Sequence, residues 1–264
     1  MSKSQSFIGF PEGMLLENPV RLPVLENTPD MFALNKLPGL LGKVHPWFRA
    51  RPDVSSAIRH QISLGKGELE RLNIPAVYYV FGPEPDLGGP MLFAKHKSAG
   101  DCLKNALGSD MLRFTYYLVT ASRTDETYLE CDLPIGQDPN EPKSVISRKY
   151  GKKSSTWFNK INESASLTLW QATTTLPRMD QIRLHAFEAG IPALGERLYV
   201  QQKGNPGLHS KASIQKSLLR FSGVGLALIQ VDMYQVLPEI STLKATLPRH
   251  LTTLLVKSEL LNED

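Results

Sequence analysis

The sequence predicts an α/β protein of the α+β kind: a small, mainly antiparallel sheet flanked by helices, joined to a second, basic α+β half. Three observations predict it. The 264 residues are 41% hydrophobic and 21% charged, enough apolar material for a buried core. Residues 75–133 alternate strand-like and helix-like stretches in the order β-β-α-β-α. Positive charge is concentrated in residues 143–220, with 13 basic and 4 acidic side chains, whereas the stretches on either side are net acidic.

Residues 1–45 carry Pro11, Pro19, Pro23, Pro29 and Pro38-Gly39 with weak periodicity, which predicts an extended, irregular arm. A short helix is expected from Asp53, capped by Asp53 or Ser55, with Val54, Ile58 and Ile62 on one face and Gly65 and Gly67 breaking it. Pro75–Phe81 and Met91–Ala94 are rich in β-branched, aromatic and aliphatic residues and predict strands on either side of a Gly-Pro loop. Ala99–Leu107 predicts a helix capped by Ser98, Met111–Thr120 a strand, and Thr124–Leu133 a second helix. Beyond these, Lys143–Ser164 reads as partly helical. Ser166–Thr175, Ile182–Phe187, Arg197–Gln202 and Val224–Val236 read as strands, Gly204–Gly207 as a loop and Ser210–Leu219 as a helix, and the last 25 residues as a peripheral helix. The expected division is an arm with a short helix (1–70), a small α/β core (71–142) and a basic α+β domain (143–264).

Several classes are excluded. No apolar run reaches the roughly 18 residues of a membrane span, and the N-terminus lacks the apolar centre of a signal peptide. Two cysteines, Cys102 and Cys131, make neither a disulfide framework nor a four-cysteine zinc site, so a cytoplasmic, reducing location is expected. There is no Gly-x-Ser-x-Gly elbow and no P-loop.

The basic window points to a polyanionic partner. Arg148, Lys149, Lys152 and Lys153 lie near Trp157, Phe158 and Lys160, with Lys203, Lys211, Lys216 and Arg220 further along. Cations neutralise phosphates and aromatics stack on bases, so these residues are candidate nucleic-acid contacts, with RNA favoured. For Trp157 the competing expectation is a core anchor. The six histidines form no metal spacing. His209, beside Ser210 and Lys211, is a candidate general base for metal-free RNA cleavage.

Residues 74–142 resemble the GIY-YIG nuclease core. The first motif of that family falls on Pro75-Ala76-Val77-Tyr78 and the second on Leu92-Phe93-Ala94-Lys95. Its helix arginine falls on Cys102 and its metal-binding glutamate on Glu130, nine residues before Pro139. The resemblance implies Tyr78 near an attacking water and a Mg or Mn ion on Glu130; no other cofactor is expected. The second aromatic, the glycine and the arginine of the pattern are absent, which implies weak or lost cleavage. Ser222-Gly223-Val224-Gly225 resembles a glycine-rich turn of the CRISPR repeat-RNA-binding proteins.

The first expectation is therefore an RNA-favouring nucleic-acid-binding protein, as a ribonucleoprotein subunit with other protein partners or as a nuclease-like protein. Two alternatives stand beside it: a viral matrix- or coat-type assembly protein whose proline-rich arm wraps a neighbour, and a metal-dependent nuclease using Glu130.

Overall fold

The computed structural model describes residues 5–122, 124–199, 221–237 and 240–261. By contact the chain divides into two units, each built from separated stretches: Met1–Leu112 with Leu228–Thr246, and Arg113–Ala227 with Leu247–Asp264. The three consecutive segments expected from composition do not coincide with them. Both units are α+β with antiparallel sheets and few helices, the predicted class.

The first unit holds β1 (Phe7–Phe10), β2 (Val20–Asn27) and β3 (Met31–Lys36), then α1 (Val54–Ser63), α2 (Gly67–Arg71), β4 (Tyr78–Phe81), β5 (Gly89–Ala94) and α3 (Lys97–Ala106). Its sheet runs β1-β2-β3-β5-β4, with antiparallel neighbours throughout. The proline-rich start is thus not an arm. Its prolines fall mostly between strands, while Ile8, Phe10, Leu22, Phe32 and Leu34 between them are fully buried. These residues join Val54, Ile58 and Leu69 of the two helices and Phe93 of β5 in one core. Phe32 and Phe93, directly opposite across β3 and β5, stack with ring centroids 4.9 Å apart. Asp53 caps α1 as expected, accepting from Ser56 N. Gly67 opens α2 rather than ending a helix, and His96, not Ser98, caps α3 by accepting from Ala99 N.

The second unit contains most of β6 (Leu112–Thr120), then β7 (Tyr128–Cys131), β8 (Ile135–Gln137), β9 (Ser144–Ile146), β10 (Thr156–Glu163), β11 (Thr168–Thr174) and α4 (Gln181–Glu188). β6, β11, β10 and β7 are antiparallel neighbours in that order. Three expectations are corrected here. Thr124–Leu133 is not a helix but contains edge strand β7, whose residues find backbone partners on β10. The 143–164 stretch forms strands for the same reason. Ile182–Phe187 is helical, because Ile182, Leu184, His185 and Ala186 are all buried and their apolar run has no alternation to mark a strand.

The chain then enters β12 (Leu226–Leu237), which pairs with β13 (Ile240–Lys244). It ends in α5 (Arg249–Lys257), which is not peripheral: Leu251 and Leu255 are fully buried against Val119, Leu167 and Leu169. Among the described residues no helix is long and apolar enough to cross a membrane.

Candidate functional site

Titratable groups converge at the end of β3 in the first unit. β3 is buried along its length and pairs with β5 so that Lys36 faces Gly89, the first residue after the loop 82–88. That loop, Gly-Pro-Glu-Pro-Asp-Leu-Gly, is held by backbone contacts. Lys36 Nζ donates to Pro85 O and to Leu37 O, both at 3.1 Å, and Gly39 N donates to Pro85 O at 2.7 Å. Two prolines leave the loop fewer conformations to lose on folding, its two glycines add to them, and the lysine secures its middle.

Lys36 is only 1% exposed. Burial pushes its ammonium down to about 7; the carboxylates of Glu84 and Asp86 pull it back up, and Arg51 pushes it down further. Asp86 is exposed, whereas Glu84 is partly buried, with its Oε2 screened from solvent. Tyr79 on β4 lies beside them. Its Oη donates to Gly82 O at 3.3 Å, its ring meets Phe93 edge-on, and burial together with Glu84 holds its phenol above the usual range. Gly42 and Gly82 press on this ring: a Cβ at either would come within 3.0 Å of Tyr79. A buried lysine on β3 and a clamped tyrosine on β4, both titrating away from their usual ranges, meet beside the loop that carries two carboxylates, the physical signature of a functional site.

The lysine predicts a pH dependence. Unfolded, its amine titrates near 10.5; in the native state, near 7. Between those values the unfolded chain holds a proton that the native chain lacks, so the cost of burying this group falls and stability rises as pH rises through the window. The slope is up to about 1.4 kcal/mol per pH unit. Urea unfolding of the wild type and Lys36→Met at pH 7 and pH 9 checks this. The stability of the wild type relative to Lys36→Met should rise by about 2 kcal/mol over that interval, as the cost of burying the charged amine is relieved; an unchanged difference would refute the assignment.

The residues proposed from sequence are placed differently. Tyr78 is on β4 of the first unit and exposed; Glu130 is on β7 of the second, exposed, accepting from Tyr128 Oη at 3.3 Å. The helix that the nuclease resemblance required for Glu130 is a strand. Among the described residues, no group of three His, Cys, Asp or Glu side chains could hold a metal ion. His209, Lys203, Lys211, Lys216 and Arg220 lie outside the described residues. Ser222–Gly225 is a packing turn, with Gly225 N donating to Leu194 O and Gly225 O accepting from Val119 N.

Arg148, Lys149, Lys152 and Lys153 are exposed together on the loop between β9 and β10. Among the described residues none of the four forms an ion pair. Lys149 Nζ sits 4.9 Å from the ring of Tyr150, which is 75% exposed. The loop is held by backbone hydrogen bonds: Gly151 N donates to Ser147 O, and Lys152 and Ile135 exchange backbone bonds. Trp157 is partly exposed on β10, opposite Glu130, and so is not a core anchor. Lys160 is structural: its Nζ donates to Thr124 O at 2.6 Å and pairs with Glu163 at 3.0 Å.

Sequence reasoning missed Lys36, Glu84 and Asp86. The available signal was Pro-Glu-Pro-Asp between two strands, an acidic pair in a loop too stiff to be a mere connection.

No family model matches the chain. It is similar to two proteins described as uncharacterized RNA pseudouridine synthases. YjbO of Bacillus subtilis is 28% identical over 217 residues, covering 77% of this chain and 72% of that protein. The other, from Aquifex aeolicus, is 27% identical over 207 residues; the chain spans 61% of its length. Among solved structures, human RNA pseudouridylate synthase domain containing 4 superposes with a TM-score of 0.66 at 18% identity, covering 89% of this chain and 92% of that one. At that identity it establishes a shared fold.

Proposed function

We propose that the chain binds RNA and isomerises uridine within it to pseudouridine. The reaction breaks the bond between ribose C1′ and N1 of uracil, turns the base and joins C1′ to C5, while C5 loses a proton and N1 gains one. Cleavage at an anomeric carbon is served by a carboxylate that stabilises or captures the developing cation. The observation that carries the reading is the loop 82–88, whose Pro85 carbonyl is tied to the buried Lys36 and whose Glu84 acts electrostatically on that lysine, in a chain 28% identical to YjbO over 77% of its length. In this reading Glu84 acts at C1′, Lys36 positions the loop, and Arg148, Lys149, Lys152 and Lys153 follow the phosphate backbone.

The decisive experiment incubates the protein with RNA tritiated at uridine C5 and measures tritium released to water. Release at a catalytic rate supports the reading. Binding without release supports a second one, an RNA-binding subunit of a ribonucleoprotein. That reading is favoured by the burial of Lys36 and its bonds to the Leu37 and Pro85 carbonyls, which a purely structural role in holding the loop also explains.

The basic loop makes a separate prediction. Lys149, Lys152 and Lys153 changed together to alanine should weaken binding to all RNA sequences alike. The slope of log affinity against log salt should fall by about two to three. Gel-shift titrations at several salt concentrations read the slope; an unchanged one would remove the loop from the interface.

A further inference from the structure

Residues 37–52 contain no acidic side chain, while Lys43, His45, Trp47, Phe48, Arg49 and Arg51 crowd into nine consecutive positions. The structure builds them into one fixed edge of the first unit. His45 turns the chain: its carbonyl accepts from Phe48 N at 3.1 Å and its ring Nδ1 from Trp47 N at 3.3 Å. The imidazole stacks on Phe48, centroids 4.9 Å apart, and the Arg51 guanidinium lies 5.6 Å from the same ring. Burial, with Arg51 and Lys43 nearby, lowers the affinity of His45 for a proton, which suits an Nδ1 that accepts.

This edge adjoins the Glu84 loop. Arg51 Nη2 donates to Gly39 O at 2.6 Å, and the Gly39 amide donates to Pro85 O. Lys43 Nζ lies 5.2 Å from the centroid of Tyr79, whose hydroxyl reaches Gly82. Trp47 is 44% exposed, although indole is among the most costly side chains to leave in water. Positive charge, an exposed indole and a rigid turn together match an unpaired nucleotide, whose base offers a π-face and whose phosphates offer charge.

We propose that segment 43–51 is a subsite for an unpaired nucleotide flanking the target uridine, with Trp47 stacking on its base and Lys43 and Arg49 contacting its phosphates. This deepens the RNA reading and rests on it. It implies that substrates are single-stranded, or are opened, on one side of the target.

The test compares full-length wild type, Trp47→Ala, Trp47→Phe and Arg49→Ala on a short single-stranded RNA and on a duplex RNA of matched length, with thermal melts of each protein. Trp47→Ala should bind the single strand about tenfold more weakly, the size of one lost stack. Its affinity for the duplex and its melting temperature should stay unchanged, and Trp47→Phe should restore most of the loss. Arg49→Ala should lower the salt slope by about one. If the wild type binds the single strand and Trp47→Ala binds it equally well, the subsite is wrong while the RNA reading stands. Equal losses on single strand and duplex, or a lowered melting temperature, assign Trp47 to the fold and overturn stacking. A wild type that binds neither RNA overturns both proposals.

Discussion

Glu84→Gln is expected to reduce tritium release from C5-labelled uridine RNA by at least about a thousandfold, the scale on which loss of a carboxylate acting directly at the reacting centre is felt. RNA affinity should change by less than about threefold, because the substitution keeps the shape of the side chain and leaves the basic loop at 148–153 intact. Asp86→Asn is the control on the same loop. Asp86 is exposed and exerts a weaker pull on Lys36 than Glu84 does, so its loss should leave release within about tenfold of wild type. If Asp86→Asn instead abolished release and Glu84→Gln did not, the two carboxylates would exchange roles. Retained release in the double variant would move the chemistry away from this loop altogether.

A second large effect is expected at Gly89. Its φ of +139° lies in a region that alanine rarely enters, and a Cβ there would fall 2.3 Å from Leu228 O and 2.6 Å from Leu228 Cβ. The first obstacle is backbone of β12, which Leu228 N ties to Gly88 O at 3.1 Å, so the neighbour cannot swing aside as a flexible side chain would. Backbone strain and overpacking together should cost about 4 kcal/mol. In a chain of this size that lowers the melting temperature by roughly 10 °C. Gly13→Ala supplies the comparison: φ there is +75°, yet nothing lies within 4 Å of the added carbon. It should cost only about 1 kcal/mol. Melting temperatures of the two variants within 2 °C of each other would show that β12 yields to the added methyl.

Much of the fold was legible where sequence periodicity and backbone chemistry agree. Val54, Ile58 and Asp53 marked α1, and the β-branched and aromatic run ending at Phe81 marked β4. Failures arose where long-range pairing overrode local appearance. Phe7–Phe10 looks like tail, but Phe7, Ile8, Gly9 and Phe10 find partners on β2. Tyr128–Cys131 looks helical until Trp157 and Phe158 are seen opposite it. The basic surface at 148–153 was readable because charge density needs no fold to be seen. The Lys36–Glu84 cluster was not, because the two lie 48 positions apart and only the pairing of β3 with β5 returns the loop to the lysine.

The way the first unit is assembled also sets an order of events during synthesis. Residues 1–112 are made before 228–246, yet their unit is complete only when 228–246 arrive to place Leu228 against Gly88 and Gly89 and to give Asn35 the Thr246 carbonyl that its side chain donates to at 3.1 Å. The nascent chain therefore carries an unfinished N-terminal unit through the making of more than a hundred further residues. The strands of the second unit emerge while the first still waits for its last hairpin. Premature termination anywhere before that hairpin leaves the Glu84 loop without one of the neighbours that hold its base.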